Sequence, residues 1–376
     1  MKRVSPTFVE VDLEALRHNY RQLRRCLPAG VKALCVVKSN AYGHGAQRVA
    51  KTLQDEGADA FGVGTVDEGI SLREAGVKRP ILILLGMVGD QKEALVRYQL
   101  TPVVYDLESA AALSDFMARS GKKLPIHLKV DTGMTRLGFL PKDFPAACAA
   151  VKKLPFVEPE GLLSHLAEAG DGPYTAKQAK AFEKAREVFG EAFGMEGVSR
   201  TFHLANSQAS IDGKLGGAGA ELMARLGIAL YGAYPLERDR KLVPLKPVLT
   251  WKSHVIALKD VPSGTPVSYN RTYKTKKPSR IAIVPVGYAD GYPRLLSNRA
   301  RVLIHSKEAP VAGMVCMDLM MIDVTGVAGA SVGDEVVLLG RQGKAEIRAE
   351  DLAEKAETIS YEIFCRISER VNRVFR

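Results

Sequence analysis

The sequence predicts an α/β protein, a (β/α)8 TIM-like barrel followed by a mostly β C-terminal domain. Eight short apolar or β-branched runs occur before about residue 230, and helical stretches separate most of them. After about residue 240, strand-like runs follow one another without helices. Eight β/α units close naturally into a barrel of about 250 residues. An open doubly wound sheet would also fit the alternation, but the count of eight strands favours the barrel.

The elements of the barrel follow one another in order. Leu13 to Leu27 predicts a helix before the first strand. Apolar residues at i, i+3 and i+4 predict amphipathic helices between strands, for example Ala46 to Leu53, Ala110 to Met117 and Ala179 to Phe189. The eight predicted strands lie near residues 32–38, 60–64, 80–85, 102–105, 125–130, 160–165, 200–205 and 221–225.

The C-terminal part reads as a separate β domain. Runs such as VLTWKSHVIAL, RIAIVPVGYAD and DEVVLLG alternate with short turns rich in glycine, proline and aspartate. We therefore predict a barrel domain over residues 1–240 and a mostly β domain over residues 241–376. The segment 243–249, which contains two prolines, is the predicted linker. One more helix is expected from about Arg348 to Ala356.

Composition and charge exclude several classes of protein. Apolar residues make up 46% of the chain and charged residues 25%, as in an ordinary globular protein. No apolar run is long enough to span a bilayer, which needs about 20 residues. The net charge of +11 is spread along the chain, which favours a solvated surface over a nucleic-acid site. Five widely spaced cysteines without a CxxC pair predict free thiols, a cytoplasmic location and no zinc site.

Polar residues follow the predicted strands at the end where barrel active sites form. They are Lys38, Lys129, Asp131, Arg136, His165, Asn206, Ser207 and Arg225. Two lysines, two arginines and a histidine on one face predict a site for an anionic ligand. Ser207 and the step Leu226-Gly227-Ile228 match the phosphate site that barrels build after strands seven and eight. A phosphate site opposite a lysine is what pyridoxal 5′-phosphate (PLP) requires.

The chain resembles the alanine racemases, PLP enzymes of fold type III, over its full length. The matching motifs are VVKSNAYGHG (36–45), LKVDTGMTRLG (128–138), SHLAEAGD (164–171), HLANSQA (203–209), RLGIALYG (225–232), VGYADGYPR (286–294), VCMD (315–318) and TISYEI (358–363). The resemblance implies racemisation of L-alanine and D-alanine, which would supply D-alanine for cell-wall peptidoglycan. It also implies a homodimer whose active sites each use residues of both subunits.

The resemblance implies a role for each residue of the site. Lys38 would bind PLP covalently and act as one of two acid/base groups. Tyr288 of the opposite subunit would be the other, so that each base serves one face of the substrate. Arg225 would donate a hydrogen bond to the pyridine nitrogen, and His165 would bond Arg225 and support Tyr288. Five residues would hold the phosphate, namely Tyr42, Ser207, Gly227, Ile228 and Tyr361.

The substrate carboxylate would be bound by Arg136 and by the backbone N–H of Met317. Lys129 matches a position that carries a carbamate in some family members, where the carbamate orients the arginine. An ion pair between Lys129 and Asp131 is the simpler alternative. Gly170 lengthens the loop after His165 and leaves the role of Asp171 open.

Other functions remain compatible with parts of the sequence. A racemase of another small amino acid, such as serine, would share the same motifs. A fold-type III decarboxylase would typically place a carboxylate where Arg225 stands. A PLP carrier without turnover would not need the β domain, and a nucleic-acid binder would need a basic patch.

Overall fold

The computed structural model describes residues 5–170, 172–194, 200–215 and 221–376, so Asp171 lies outside the described residues. Within them, eight parallel strands follow one another around a barrel, as the sequence predicts. The first of these strands pairs with the eighth, and a single bridge, Phe202 to Leu222, spans the gap between the seventh and the eighth. The barrel is therefore nearly closed. Its strands are Lys32–Val36, Ala60–Val63, Ile81–Ile83, Thr101–Val104, Leu124–Lys129, Val157–Leu163, Thr201–His203 and Met223–Leu226.

Helices connect the strands of the barrel. The α-helices are Leu13–Arg25, Ala46–Asp55, Val66–Glu74, Lys92–Arg97, Leu107–Ala118, Phe144–Lys152, Gly172–Phe193 and Ser207–Ile211. Two short 3₁₀ helices, Ile228–Tyr231 and Glu237–Lys241, follow the eighth strand. Residues 243–248 then run without helix or strand toward the second domain.

The first helix shows how local sequence sets these elements. Asp12 begins the helix Leu13–Arg25, because its side chain accepts the backbone N–H three residues further on at 2.9 Å. Leu16, Tyr20 and Leu23 recur at helical spacing and are buried against the barrel. The helix thus has the apolar stripe that its sequence predicts.

The C-terminal domain is mostly β, as predicted. One sheet combines Leu249–His254, Arg301–Ile304, Lys307–Pro310, Glu335–Gln342, Ala345–Ile347 and Asn372–Phe375 with a strand from the start of the chain. A second sheet contains Ala257–Val261, Ser279–Val284 and Met320–Asp323, and a small hairpin joins Pro266–Val267 to Tyr273–Lys274. Two α-helices, Ala349–Lys355 and Ser360–Cys365, follow.

The strand from the start of the chain, Phe8–Val11, is not predicted by the sequence analysis. It lies in the sheet of the second domain, antiparallel to Leu249–His254 on one side and parallel to Asn372–Phe375 on the other. The division at residues 240 and 241 stays a prediction, and this strand shows that the barrel half of the chain contributes to the β domain.

No helix in the described ranges is long and apolar enough to cross a membrane. The five cysteines are free thiols, of which Cys35 and Cys148 are buried.

Candidate active site

A cavity of about 350 Å³ opens at the carboxyl ends of the barrel strands. Asn206 and ten of the twelve residues to which the resemblance assigns a role line it. The ten come from the ends of the first, fifth, sixth, seventh and eighth strands and the loops after them, and from the C-terminal domain. They are Lys38, Tyr42, Lys129, Arg136, His165, Ser207, Arg225, Gly227, Ile228 and Tyr361. Leu84, Leu85 and Leu163 add apolar surface to the wall. Residues far apart in the sequence thus meet at one cationic pocket.

An unusual turn brings Lys38 and Tyr42 into this cavity. Ser39, Asn40, Ala41 and Tyr42 all have φ between 52° and 54°, so the chain makes one turn of left-handed helix directly after Lys38. This conformation costs about 1–2 kcal/mol per residue for side chains other than glycine. Gly43 ends the turn, and a Cβ there would lie 2.3 Å from the carbonyl oxygen of Phe364.

Two side chains hold the left-handed turn. Glu68 accepts the backbone N–H of Ser39 at 2.6 Å and that of Gly64 at 2.6 Å, which ties together the loops after the first two barrel strands. The ring of His44 lies under the turn, and its Nδ1 contacts the carbonyl oxygens of Ala41 at 3.1 Å and Tyr42 at 2.8 Å. These bonds compensate for the cost of the backbone conformation and fix the direction in which Lys38 points.

The two lysines of the cavity have lowered pKa values. Burial lowers the pKa of Lys38, and the nearby Arg136 lowers it further. Burial lowers the pKa of Lys129 to about 8, with additional contributions from Arg225 and Arg136. A lysine with a pKa near 8 is partly neutral at physiological pH, and the neutral amine is the form that can act as a base or react with an electrophile.

Asp131 shapes the loop that carries Arg136. Its carboxylate accepts four backbone N–H groups, those of residues 133 to 136, at distances of 2.7–3.0 Å. These bonds lower its pKa against the opposing effect of burial. The charge of Asp131 acts to raise the pKa of Lys129. Both carboxylate oxygens are nevertheless occupied by the four backbone N–H groups, which disfavours the alternative of an ion pair with Lys129.

Arg225 lies at the base of the cavity and is only 5% exposed. Its guanidinium donates to the backbone carbonyl oxygens of Ser164 at 2.6 Å, Leu204 at 2.9 Å and His203. It also contacts Nδ1 of His165 and Nδ1 of His203, each at 3.2 Å. All these partners are neutral, and burial followed by Arg136 lowers the pKa of Arg225 to about 10. The cavity therefore has a buried positive charge that no carboxylate of the described residues pairs with.

The histidine contacts of Arg225 fix where the ring protons lie. A guanidinium donates only, so Nδ1 of His165 and of His203 must accept. His203 then carries its proton on Nε2, which faces Nδ1 of His127 at 2.9 Å. His165 likewise carries its proton on Nε2 and can donate it to another group. Burial lowers the pKa of His165 to about 3, with Arg225 adding to the effect, so the ring is neutral.

His127 and His203 are parts of the site that the sequence analysis did not assign. Both rings are buried within strands of the barrel. A Cβ at Gly161 would lie 2.4 Å from the ring of His127, so this glycine makes room for it. The sequence signal that could have found them is a histidine within a predicted buried strand.

Hydroxyl groups gather at the other end of the cavity. The hydroxyl of Ser207 accepts the backbone N–H of Gly227 at 2.8 Å. A Cβ at Gly227 would lie 3.1 Å from Oη of Tyr42 and 3.8 Å from Oγ of Ser207. The missing side chain thus leaves a space between these hydroxyls, and the ring of Tyr361 lies 5.9 Å from that of Tyr42. This end has the donors and the room that a phosphate group needs.

Tyr288 and Met317 do not line the cavity of their own chain. Both lie on the surface of the C-terminal domain, with Tyr288 39% and Met317 55% exposed. They are close to each other, because two backbone hydrogen bonds join their loops. The N–H of Tyr288 donates to the carbonyl oxygen of Cys316 at 3.0 Å, and the N–H of Ala289 donates to that of Met317 at 3.0 Å. Ten of the twelve predicted site residues therefore meet in one chain, and the other two form a separate exposed pair.

The buried histidines predict a dependence of stability on pH. Burial lowers the pKa of His44 to about 4 and that of His127 and His165 to about 3, while an unfolded histidine has a pKa of about 6.5. Between these values the unfolded chain binds more protons, so stability falls as the pH falls. Each histidine should contribute about 1.4 kcal/mol per pH unit. We expect the urea midpoint to decrease steeply from pH 6.5 to 5 and to be flatter above pH 7.

A control for this prediction is His44→Gln, which removes one titrating ring and leaves the other two. Whatever the substitution does to stability at pH 7, the slope of stability against pH should decrease by the contribution of one histidine. A midpoint that stays constant or rises on acidification would contradict the prediction.

The cavity fits PLP by the chemistry of its donors. A lysine stands at one end, hydroxyls and an open glycine stand at the other, and a charged guanidinium lies at the base. A PLP enzyme needs these three features, a lysine for the aldehyde, donors for the phosphate and a group facing the ring nitrogen. Together with the barrel and the second β domain, they define a PLP-dependent enzyme of fold type III.

Comparison with known proteins narrows this class. The family model described as "Alanine racemase, N-terminal domain" matches residues 11–235, and the model described as "Alanine racemase, C-terminal domain" matches residues 248–375. The chain therefore belongs to the alanine racemase family, whose members are PLP-dependent isomerases, and the resemblance seen in the sequence is confirmed.

Individual relatives agree with this assignment. An alanine racemase of Halothermothrix orenii is 44% identical over 378 residues, which cover 100% of this chain and 98% of that protein. An alanine racemase of Geobacter sulfurreducens is 42% identical over 378 residues, covering 98% and 97%. Among solved structures, an alanine racemase from D-cycloserine-producing Streptomyces lavendulae has a TM-score of 0.91 and 34% identity. The match covers 100% of this chain and 98% of that one. An alanine racemase from Bacillus anthracis with bound L-Ala-P has the same score and identity, covering 100% and 96%.

Proposed function

We propose that the protein interconverts L-alanine and D-alanine with PLP as its cofactor. The observation that carries the proposal is the buried Arg225. Its guanidinium faces the cavity that contains Lys38, and all its hydrogen-bond partners are neutral. An arginine cannot accept a proton from the ring nitrogen and can only donate a hydrogen bond to it. That arrangement suits an enzyme that exchanges one proton and has no need of a strong electron sink.

When bound, PLP supplies the electron-withdrawing system that acidifies the Cα–H bond of an attached amino acid. The protein supplies the proton transfer. Lys38, whose pKa is lowered by burial and by Arg136, takes or returns a proton on one face. Tyr288 of the opposite subunit does so on the other face. Two bases on opposite sides are the simpler design, since a single base would have to cross the plane of the substrate.

The phosphate end of the cofactor is held by five residues in this proposal. The hydroxyls of Tyr42, Ser207 and Tyr361 donate to phosphate oxygens, and Ile228 offers a backbone N–H group. Gly227 contributes the space for the phosphate, while its own N–H donates to Ser207. The open space at Gly227 supports this role, since a side chain there would approach Oη of Tyr42 at 3.1 Å. Burial raises the pKa of Tyr361 to about 12, so its hydroxyl keeps its proton and can donate it.

The substrate carboxylate is bound by Arg136 and by the backbone N–H of Met317 from the opposite subunit. We assign Lys129 to the orientation of Arg136 as a carbamate. Its pKa of about 8 supports the modification, because only a neutral amine reacts with CO2. The four backbone bonds of Asp131 leave Lys129 without a carboxylate partner among the described residues, and a carbamate would provide the missing negative charge.

His165 connects Arg225 to Tyr288 in this proposal. Because Nδ1 of His165 accepts from Arg225, the proton on Nε2 is available for donation to the phenolate of Tyr288. The guanidinium behind this histidine thus fixes which ring nitrogen is free to face Tyr288.

A homodimer with composite sites follows from the position of Tyr288. The residue is exposed and lies outside the cavity of its own chain, so it would act only across a subunit interface. In this arrangement residues 1–240 provide the PLP site and residues 241–376 complete the site of the partner. D-Alanine is a component of peptidoglycan, and we assign the reaction to its supply in the cytoplasm.

Racemisation can be measured directly with the purified protein and added PLP. Either enantiomer of alanine should be converted to an equal mixture of both, and serine should be converted more slowly. Release of CO2 with formation of an amine would contradict the proposal in favour of a decarboxylase. Binding of PLP without turnover of any amino acid would favour a carrier.

The composite site predicts complementation between two inactive variants. Lys38→Ala and Tyr288→Phe chains are each expected to be inactive, but a mixed dimer contains one site with both residues intact and one site with both changed. After subunit exchange, each mixed dimer should regain about half the activity of the unaltered dimer. Exchange is verified with chains that carry different affinity tags. Failure to regain activity in verified mixed dimers would show that both bases come from one chain.

A further inference from the structure

The loops that carry Tyr288 and Met317 form one unit in the chain. Two backbone hydrogen bonds connect the loop that carries Tyr288 to the loop that carries Met317. Gly287 also lies very close to the Met317 loop, since a Cβ at Gly287 would lie 2.1 Å from the carbonyl oxygen of Met317. No side chain fits there without moving the backbone. The phenol of Tyr288 and the backbone N–H of Met317 therefore lie on two loops that are in direct contact.

One arginine spans both loops from the C-terminal segment. Nε of Arg370 donates to Oδ1 of Asp290 at 2.7 Å, and its NH2 group donates to Oδ1 of Asp318 at 2.8 Å. Asp290 follows Tyr288 by two residues, and Asp318 directly follows Met317. The other oxygen of Asp290 accepts the N–H of Gly287 at 2.8 Å. A single guanidinium thus joins an acidic residue of each loop, and no other side chain in the described ranges forms ion pairs with both carboxylates.

We propose that Arg370 is a positioning residue that fixes the distance between the acid/base group Tyr288 and the carboxylate-binding N–H of Met317. The inference rests on the proposed function of these two residues. Its consequence is that this distance is set within one chain and does not depend on how the two subunits meet. The proton-transfer group and the anchor for the substrate then move together relative to the cofactor of the partner subunit.

The chemistry of the contact requires an arginine. The two carboxylates lie on different loops, and a planar guanidinium offers donors in two fixed directions, whereas a lysine offers one point charge. Arg370 is 47% exposed at its side chain and Asp318 is 58% exposed, while Asp290 is 7% exposed. The exposed pair with Asp318 contributes little to global stability, and without Arg370 the buried Asp290 keeps the bond from the N–H of Gly287. The main effect of the contact is therefore on the relative position of the two loops.

The fold should survive the loss of Arg370. Other contacts keep the C-terminal segment on the Tyr288 loop, because the N–H of Ser368 donates to the carbonyl oxygen of Asp290 at 3.0 Å and Gly291 packs against the carbonyl group of Arg366. A variant of Arg370 should loosen the two loops relative to each other without unfolding the domain.

The test compares Arg370→Gln with Arg280→Gln. Arg280 makes a similar two-donor contact, at 2.7 and 2.9 Å, with the exposed Asp260 elsewhere in the same domain. Amide hydrogen exchange followed by mass spectrometry reports on the loops directly, with or without PLP. Arg370→Gln should increase exchange in peptides 286–294 and 314–320 and leave the melting temperature close to that of the control. Arg370→Lys should be intermediate.

The kinetic expectation separates positioning from stability. Displacement of a catalytic group by about 1 Å lowers rates on the order of 10²-fold, so racemisation by Arg370→Gln should fall by about that factor with normal PLP content. Unchanged amide exchange in both peptides would overturn the proposal. So would faster exchange with full racemase activity. If the unaltered protein racemises nothing, the proposed function fails, while the exchange data still decide whether Arg370 holds the loops.

Discussion

Replacing Lys38 by alanine should abolish racemisation of both enantiomers. The substitution removes the group assigned to the covalent link with PLP and one of the two proton-transfer groups, so we expect a loss of at least about 10⁴-fold. The left-handed turn is held by Glu68 and His44, which the substitution leaves in place, so the fold should persist. Activity in both directions is measured by chiral chromatography of the products.

The covalent link provides a second measurement of the same residue. Borohydride reduction followed by peptide mapping should place a pyridoxyl label on Lys38 in the unaltered protein and no label at this peptide in Lys38→Ala. Lys307→Ala, a change at an exposed lysine of the C-terminal domain, is the matched control and should keep both label and activity. Racemisation retained by Lys38→Ala would refute the assignment of this residue and of the cofactor link.

Replacing Tyr288 by phenylalanine should separate the two bases by direction. Loss of a general base costs about 10²- to 10⁴-fold in rate. Tyr288 is expected to act on L-alanine and Lys38 on D-alanine. In Tyr288→Phe, exchange of the Cα proton with deuterated solvent should persist for D-alanine and fall sharply for L-alanine. Racemisation should fall equally in both directions, because a catalyst cannot change the equilibrium between the enantiomers.

A control tyrosine lies in the same domain. Tyr269 is 67% exposed, and Tyr269→Phe should leave exchange and racemisation as they are. If Tyr288→Phe slows exchange of both enantiomers to the same extent with PLP fully bound, the assignment of one base to each face is wrong.

The regular part of the fold was predictable because its signals are local. Each barrel strand is a short apolar run bounded by turn residues, and all eight were found close to the expected positions. The strand Phe8–Val11 escaped prediction because what makes it a strand is its pairing with Leu249–His254 and Asn372–Phe375, at the far end of the chain. No pattern within four residues carries that information.

The site was predictable to the extent that it follows the strand ends. Lys38, Arg136, His165 and Arg225 could be gathered from that rule, and they line the cavity. The left-handed turn after Lys38 could not be read from the residues Ser-Asn-Ala-Tyr, because side chains other than glycine rarely adopt this conformation. The importance of His203 depends on its contact with Arg225, which only the three-dimensional structure reveals.

Tyr288 and Met317 show a different limit. No feature of their local sequence marks them as parts of a site, and they entered the prediction through the resemblance alone. In the described structure they are exposed and apart from the cavity, and only the proposed partner subunit would relate them to it.

The strand Phe8–Val11 also constrains the order in which the protein can fold during synthesis. The helix Leu13–Arg25 begins with the N–H of Leu13 bonded to the carbonyl oxygen of Arg376, and the N–H of Arg376 is bonded to Val11. Full pairing of this strand must therefore wait for residues that are synthesised long after it. Pairing between such distant segments slows folding, since a long loop must close before the contact is gained. Until then the unpaired strand exposes its edge, and chaperones that cover such edges would have a long interval in which to act.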